Sequence, residues 1–104
     1  MISRHWRGLA RPDRASDYEQ HLREDTFPKL REMQGFLGAS ILRRQLASGV
    51  EYLVVSEWRS LESIAQFAGE DVEAAVVPAN VRAMMIEYDS RARHYEVVER
   101  NLLG

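Results

Sequence analysis

The chain has 104 residues, no cysteine, and 14 Lys+Arg against 16 Asp+Glu, a formal charge of −2 at pH 7. At about 100–200 residues per domain this is a single domain, 1–104, with a thin core, because a chain this short buries only about 60–65% of its unfolded surface. The missing cysteines exclude a disulfide scaffold, a thiolate nucleophile and Cys-ligated zinc or Fe–S sites, and the mildly acidic balance provides no footprint for nucleic acid or an anionic membrane.

The first ten residues alternate: Ile2, Trp6 and Ala10 share one face with Arg4 and Gly8, while Ser3, His5, Arg7 and Leu9 share the other. Period two over this length predicts a strand. Pro12-Asp13 stops it and starts a helix near Asp13, in which Ala15, Tyr18 and Leu22 recur at helical spacing. Pro28 should end or kink that helix near Thr26–Phe27, with Leu30 and Met33 in a final turn before Gly35. Phe36 to Gln45 and Glu51 to Trp58 are strand-like, and Gly49 between them predicts a hairpin. Ser60 is placed to cap a second helix with a Leu61, Ile64, Ala65, Ala68 stripe, stopped by Gly69. Asp71 to Val77 reads as a further short helix ended by Pro78, Ala79 to Met85 as another turn, and Arg91 to Glu99 as the last strand. No run approaches the roughly 18 apolar residues of a membrane span, and the first residues form no apolar signal core. The expected compartment is the cytoplasm.

The order β-α-β-β-α-β predicts an α+β, ferredoxin-like sandwich: a four-stranded antiparallel sheet with helices on one face. Both faces of that sheet are apolar. Leu53 and Val55 oppose Tyr52, Val54 and Trp58 on the third strand, and Leu37, Ala39 and Ile41 oppose Phe36 and Leu42 on the second. The helices can cover only one face. A second copy of the sheet is the simplest cover for the other, so a homodimer through the sheet face is expected.

His5-Trp6-Arg7-Gly8, Gly35-Phe36-Leu37-Gly38, Tyr52 through Ser60, Phe67-Ala68-Gly69 and His94-Tyr95-Glu96-Val97-Val98 together carry a family likeness. On these residues the chain resembles the antibiotic biosynthesis monooxygenase (ABM) family of small dimeric α/β-barrel proteins. The resemblance implies the ferredoxin-like sandwich and its pairing into a dimeric α/β barrel. It also implies oxygenation of phenolic compounds without metal or flavin, the substrate carbanion itself reducing dioxygen, with Asn, Trp and Arg side chains involved. Other relatives open haem with a first-strand Asn, a second-helix Trp and an axial His soon after. Those positions here fall on Arg7, Phe67 and Val76 or Val77, so the resemblance disfavours haem degradation and implies no cofactor.

Cofactor-independent oxygen chemistry needs a base, a holder for an oxyanion and a dry pocket. His5 and His94 are candidate bases, expected on neighbouring strands, the alternative being hydrogen-bonded or interface histidines. Arg7 either faces the pocket and holds a phenolate or carboxylate, or pairs with an acidic neighbour such as Glu96 or Glu99. Tyr52, Trp58 and Phe67 are candidate pocket walls, with packing in the core or dimer seam as the competing role. His21 is expected in solvent. Histidines at 5, 21 and 94 lack metal-ligand spacing, so no metal site is expected. No nucleophile elbow or phosphate loop is present. The expected function is a cofactor-independent monooxygenase-like protein for a small aromatic, phenolic or quinone-like compound; the alternative is a non-catalytic homodimeric ligand-binding or scaffold domain.

Overall fold

Alternation in the first ten residues builds β1 (Ile2–Ala10), the strand on which the rest of the sheet is registered. The structure is a computed structural model that describes residues 1–103. β2 (Phe36–Gln45) and β3 (Val50–Trp58) form the hairpin, and β3 pairs antiparallel with β1 from Ile2↔Trp58 to Ala10↔Val50. Gly49 is required at the turn, where a Cβ would lie 2.4 Å from the Ala10 carbonyl oxygen.

The other edge of β1 departs from the expected single strand. β4 (Met85–Tyr88) and β5 (Arg93–Glu96) occupy it in succession, giving a five-stranded open antiparallel sheet of order β2-β3-β1-β4 with β5 also on β1. From Gly8↔Tyr88 to His5↔Arg93, the β4–β5 side uses more residues than β1 does. The surplus bends outward and finds its hydrogen bonds elsewhere: Ala75 N–H donates to the Ser90 carbonyl at 3.0 Å, and Ala92 N–H to the Glu73 carbonyl at 2.8 Å. Arg91 adds a two-pronged contact to Asp71, at 3.0 and 2.8 Å. These pairings explain why Asp71–Val77 is not the expected helix: after one turn, in which Ala74 N–H donates to the Asp71 carbonyl at 2.9 Å, its backbone bonds across to the bulge.

Pro12–Arg14 forms a 3₁₀ turn leading into α1 (Ala15–His21). A π-helical turn, Leu22–Thr26, follows and runs into α2 (Phe27–Arg31). Pro28 has no N–H to offer the preceding turn and its ring would crowd a carbonyl there; the wider turn removes both problems. α3 (Leu61–Ala68) begins as expected, Ser60 Oγ accepting from Ser63 N–H at 3.1 Å, and ends at Gly69 with φ +84°. A short α4 (Ala79–Arg82) follows Pro78. Among the described residues no helix is long and apolar enough to cross a membrane.

The helices cover one sheet face and enclose two hydrophobic clusters, one around Tyr18, Tyr52 and Met85 and one around Leu30, Trp58 and Ile64. Tyr52, Trp58 and Ile64 are fully buried. At 150–250 Å² per aromatic ring and about 25 cal/mol per Å², each ring contributes roughly 4–6 kcal/mol, an upper estimate. Strict alternation along β2 would put Phe36 and Ile41 on opposite faces. A bulge between Phe36 and Gly38 reverses the parity, so both pack inward. The uncovered sheet face carries exposed Leu42 and Tyr95 beside an ionic network in which Glu51 pairs with Arg7 at 2.7 Å and with Arg44.

Candidate functional site

Between the sheet and the α1–α2 helix lies a cavity of about 280 Å³, closed at one side by Val76, Pro78 and Val81. Trp6, Phe27, Phe67, Val54, Leu30 and Met33 supply most of its wall. The helix-facing parity of β1 brings Arg4 and Trp6 onto the cavity floor. Trp6 lies flat along its own strand because the next inward residue is Gly8, where a Cβ would meet the indole at 2.6 Å. Its Nε1–H donates to the Asp89 carbonyl at 2.8 Å, on the bulge between β4 and β5.

Arg4 is the unusual group. It is only 4% exposed, yet among the described residues no Asp or Glu carboxylate forms an ion pair with it. Its Nη1 donates to the Val72 carbonyl and to His94 Nε2 at 2.8 Å; its Nη2 donates to the Ala74 carbonyl at 2.8 Å. The Phe67 ring lies 5.7 Å from Cζ. Burial lowers the Arg4 pKa from 12.5 to about 10. A buried ion costs on the order of several kcal/mol when nothing of opposite charge offsets it, and the carbonyl dipoles and the aromatic face offset only part.

Arginine can only donate, so His94 Nε2 must be the acceptor and the imidazole is neutral with its proton on Nδ1. Burial is the main cause holding the His94 pKa below the usual 6.5; the Arg4 charge adds to it and Glu73 opposes it. Opposite the sheet, His21 at the end of α1 and Asp25 in the π-helical turn lie one turn apart and both line the cavity, with Nε2 and Oδ2 3.9 Å apart. Ser56, 7% exposed, also reaches the cavity, its Oγ accepting from Trp58 Nε1–H at 2.9 Å.

The six residues singled out in the sequence separate in space. Phe67 lines the cavity. His94 touches it only through Arg4. His5 and Arg7 point to the uncovered sheet face: His5 Nε2 lies 2.8 Å from Ser3 Oγ and its ring packs edge-on against Tyr95. Burial depresses the His5 pKa, with Glu57 opposing. Arg7 pairs with Glu51 at 2.7 Å and Glu87 at 3.4 Å, not with Glu96 or Glu99, since both partners sit beside it across the β1 pairings. Histidines 5 and 94 therefore lie on adjacent strands but opposite faces, because the register sets His5 against Arg93 and Arg4 against His94. Trp58 is a core residue beside Phe36 and Ile64. Tyr52 is buried away from this cavity, its hydroxyl donating to Glu19 Oε2 at 2.5 Å; burial and that carboxylate push its pKa to about 12.

Arg4, Trp6, His21 and Asp25 were legible in part. Arg4 is a charge on the apolar face of an alternating strand, and Tyr18, His21, Leu22 and Asp25 keep a helical stripe. His21 is not in open solvent: its side chain is 13% exposed. Among the described residues no group of three His, Asp or Glu side chains could hold a metal ion.

The sequence matches the antibiotic biosynthesis monooxygenase model over residues 1–77. The chain therefore belongs to the ABM family. A putative antibiotic biosynthesis monooxygenase from Deinococcus radiodurans has the same fold, with a TM-score of 0.68, 17% identity and full coverage of both chains. One from Bacillus cereus gives 0.66 at 14% identity, covering 99% of this chain and 96% of that one. A mutant of MhuD, solved with two manganese protoporphyrin IX molecules per active site, gives 0.65 at 19% identity over both full chains. No curated protein sequence matches.

Proposed function

We propose that this ABM-family chain is a cofactor-independent monooxygenase-like protein that takes a small aromatic, phenolic or quinone-like compound into the cavity. The observation that carries the reading is a buried guanidinium without a carboxylate partner in an aromatic-walled space. That space, about 280 Å³, falls just under the roughly 300–1,000 Å³ typical of small-molecule pockets. Trp6, Phe27 and Phe67 offer ring faces for a flat ligand. His21, beside Asp25, is the group that takes the substrate proton; the Arg4 charge at the cavity floor favours the anion that forms. The anion then reduces dioxygen. A ring CH₂ becomes C=O with one oxygen atom, the other oxygen leaves as water, and the oxidation supplies all four electrons that dioxygen accepts.

The protoporphyrin held by the MhuD neighbour does not suit this lining. Phe67 and Val76, where the resemblance implies a Trp and an axial His, contribute only hydrocarbon. The pairing of two chains through the uncovered sheet face belongs to the same reading, supported by Leu42 and Tyr95 standing exposed there.

Oxygen consumption across a panel of phenols, hydroquinones and anthrones tests the chemistry. Turnover is expected with at least one of them, and His21→Gln should abolish it while leaving ligand affinity within about threefold, a change of under 1 kcal/mol. Ligand binding without any oxygen uptake would leave a binding domain, not an oxygenase.

A further inference from the structure

We infer that the group anchored in the cavity is a carboxylate, so that the ligand is a small aromatic carboxylic acid; the inference rests on the cavity being the substrate pocket. Guanidinium has five N–H donors. Arg4 commits both of its Nη1 hydrogens, to Val72 and His94, and one Nη2 hydrogen, to Ala74. The Nε–H and the second Nη2–H remain. These two nitrogens form one edge of the planar group, the edge that receives two carboxylate oxygens side by side. Among the described residues every fully buried side-chain nitrogen and oxygen has a partner, so the unpaired Nε is not sealed in the core, and the open space that Arg4 lines is the cavity.

Charge narrows the ligand further. His94 is neutral because it accepts from Arg4, so one positive charge stands at the floor. Lys29 lines the mouth but is paired with Asp25 at 3.1 Å, and Glu73 lies toward Arg91 at 3.8 Å. A single anionic group therefore balances the site, whereas a phosphate would bring surplus charge against Phe67, Trp6 and Val54. A phenolate offers one oxygen and leaves half of the edge unused. The arrangement selects a planar, singly charged, two-oxygen anion attached to a flat apolar body.

Isothermal titration of the full chain with 2-naphthoate, methyl 2-naphthoate and 2-naphthol tests this, alongside the Arg4 Nε–H resonance in ¹⁵N-labelled protein. Two charge-assisted hydrogen bonds predict that 2-naphthoate binds about 10–100-fold more tightly than its ester. The Nε–H resonance should move downfield with the acid and not with the ester. Arg4→Lys keeps the charge but loses the edge, and should remove most of the preference. Because Arg4 also ties down the 72–74 segment, the resonance measured in the unaltered chain decides the matter should that variant fail to fold. Ester or naphthol binding as tightly as the acid, or acid binding with Nε–H unmoved, overturns the inference and leaves the pocket reading standing. No binding of any of the three overturns both.

Discussion

Gly8→Ala is the most direct test of how the cavity floor is built. In a strand the substitution alone is favourable by about 0.5–1 kcal/mol, because alanine loses less backbone freedom on folding. Here the new Cβ would lie 2.6 and 2.9 Å from two carbons of the Trp6 indole and 3.0 Å from Met85 Sδ. Forcing such overlaps to relax costs about 1–3 kcal/mol. Displacing the indole also strains its 2.8 Å hydrogen bond to the Asp89 carbonyl, worth about 1 kcal/mol net. The clash wins, and the expected loss centres near 2 kcal/mol, or roughly 8–16 °C in Tm at about 4–8 °C per kcal/mol. Gly38→Ala is the matched control, since its Cβ meets nothing within 4 Å; it should be neutral to stabilising by up to about 1 kcal/mol. Urea unfolding followed by circular dichroism and tryptophan fluorescence measures both. Equal midpoints for the two variants would refute the account of the Trp6 seat, as would unaltered ligand affinity in Gly8→Ala.

Three other predictions concern pH, the core and the uncovered face. His5 and His94 have folded-state pKa values below 6.5, so as pH falls the unfolded chain takes up protons first. Their contribution is complete above pH 6.5 and is lost as pH drops through the folded values; urea midpoints should fall between pH 7.5 and 5.5. His94→Gln keeps an acceptor for Arg4 without titrating and should flatten part of that fall, and an unchanged slope would contradict it. Tyr52→Phe removes the donor to Glu19 and should cost about 1–2 kcal/mol in urea unfolding, partly cushioned because Arg43 and Arg23 still pair with Glu19 at 2.6 and 3.1 Å. Arg43→Met, at an exposed pair, should leave the urea midpoint nearly unchanged. If two chains pair through the uncovered face, Leu53→Lys should convert a dimer into a monomer by light scattering at micromolar concentration. A monomeric wild-type chain would dismiss that pairing.

Local rules determined a large share of this protein. Period-two alternation specified β1, Gly49 the hairpin, Ser60 and Gly69 the ends of α3, and Pro28 the break in the long helix. The order of those elements was enough for the ferredoxin-like class, and a cysteine-free composition was enough to exclude thiolate chemistry. Alternation, however, defines two faces without saying which one the helices cover. Only the tertiary structure decided that Arg4 and Trp6 turn inward while His5 and Arg7 turn outward, because that choice depends on where distant helices dock. Nor could periodicity foresee backbone groups that pair far along the chain. The bulge between β4 and β5 bonds to 73–75, and so keeps 71–77 from forming a helix and delivers the Val72 and Ala74 carbonyls to Arg4. Composition counted Arg4 as one of 14 basic residues; the fold made it a buried cation facing a cavity.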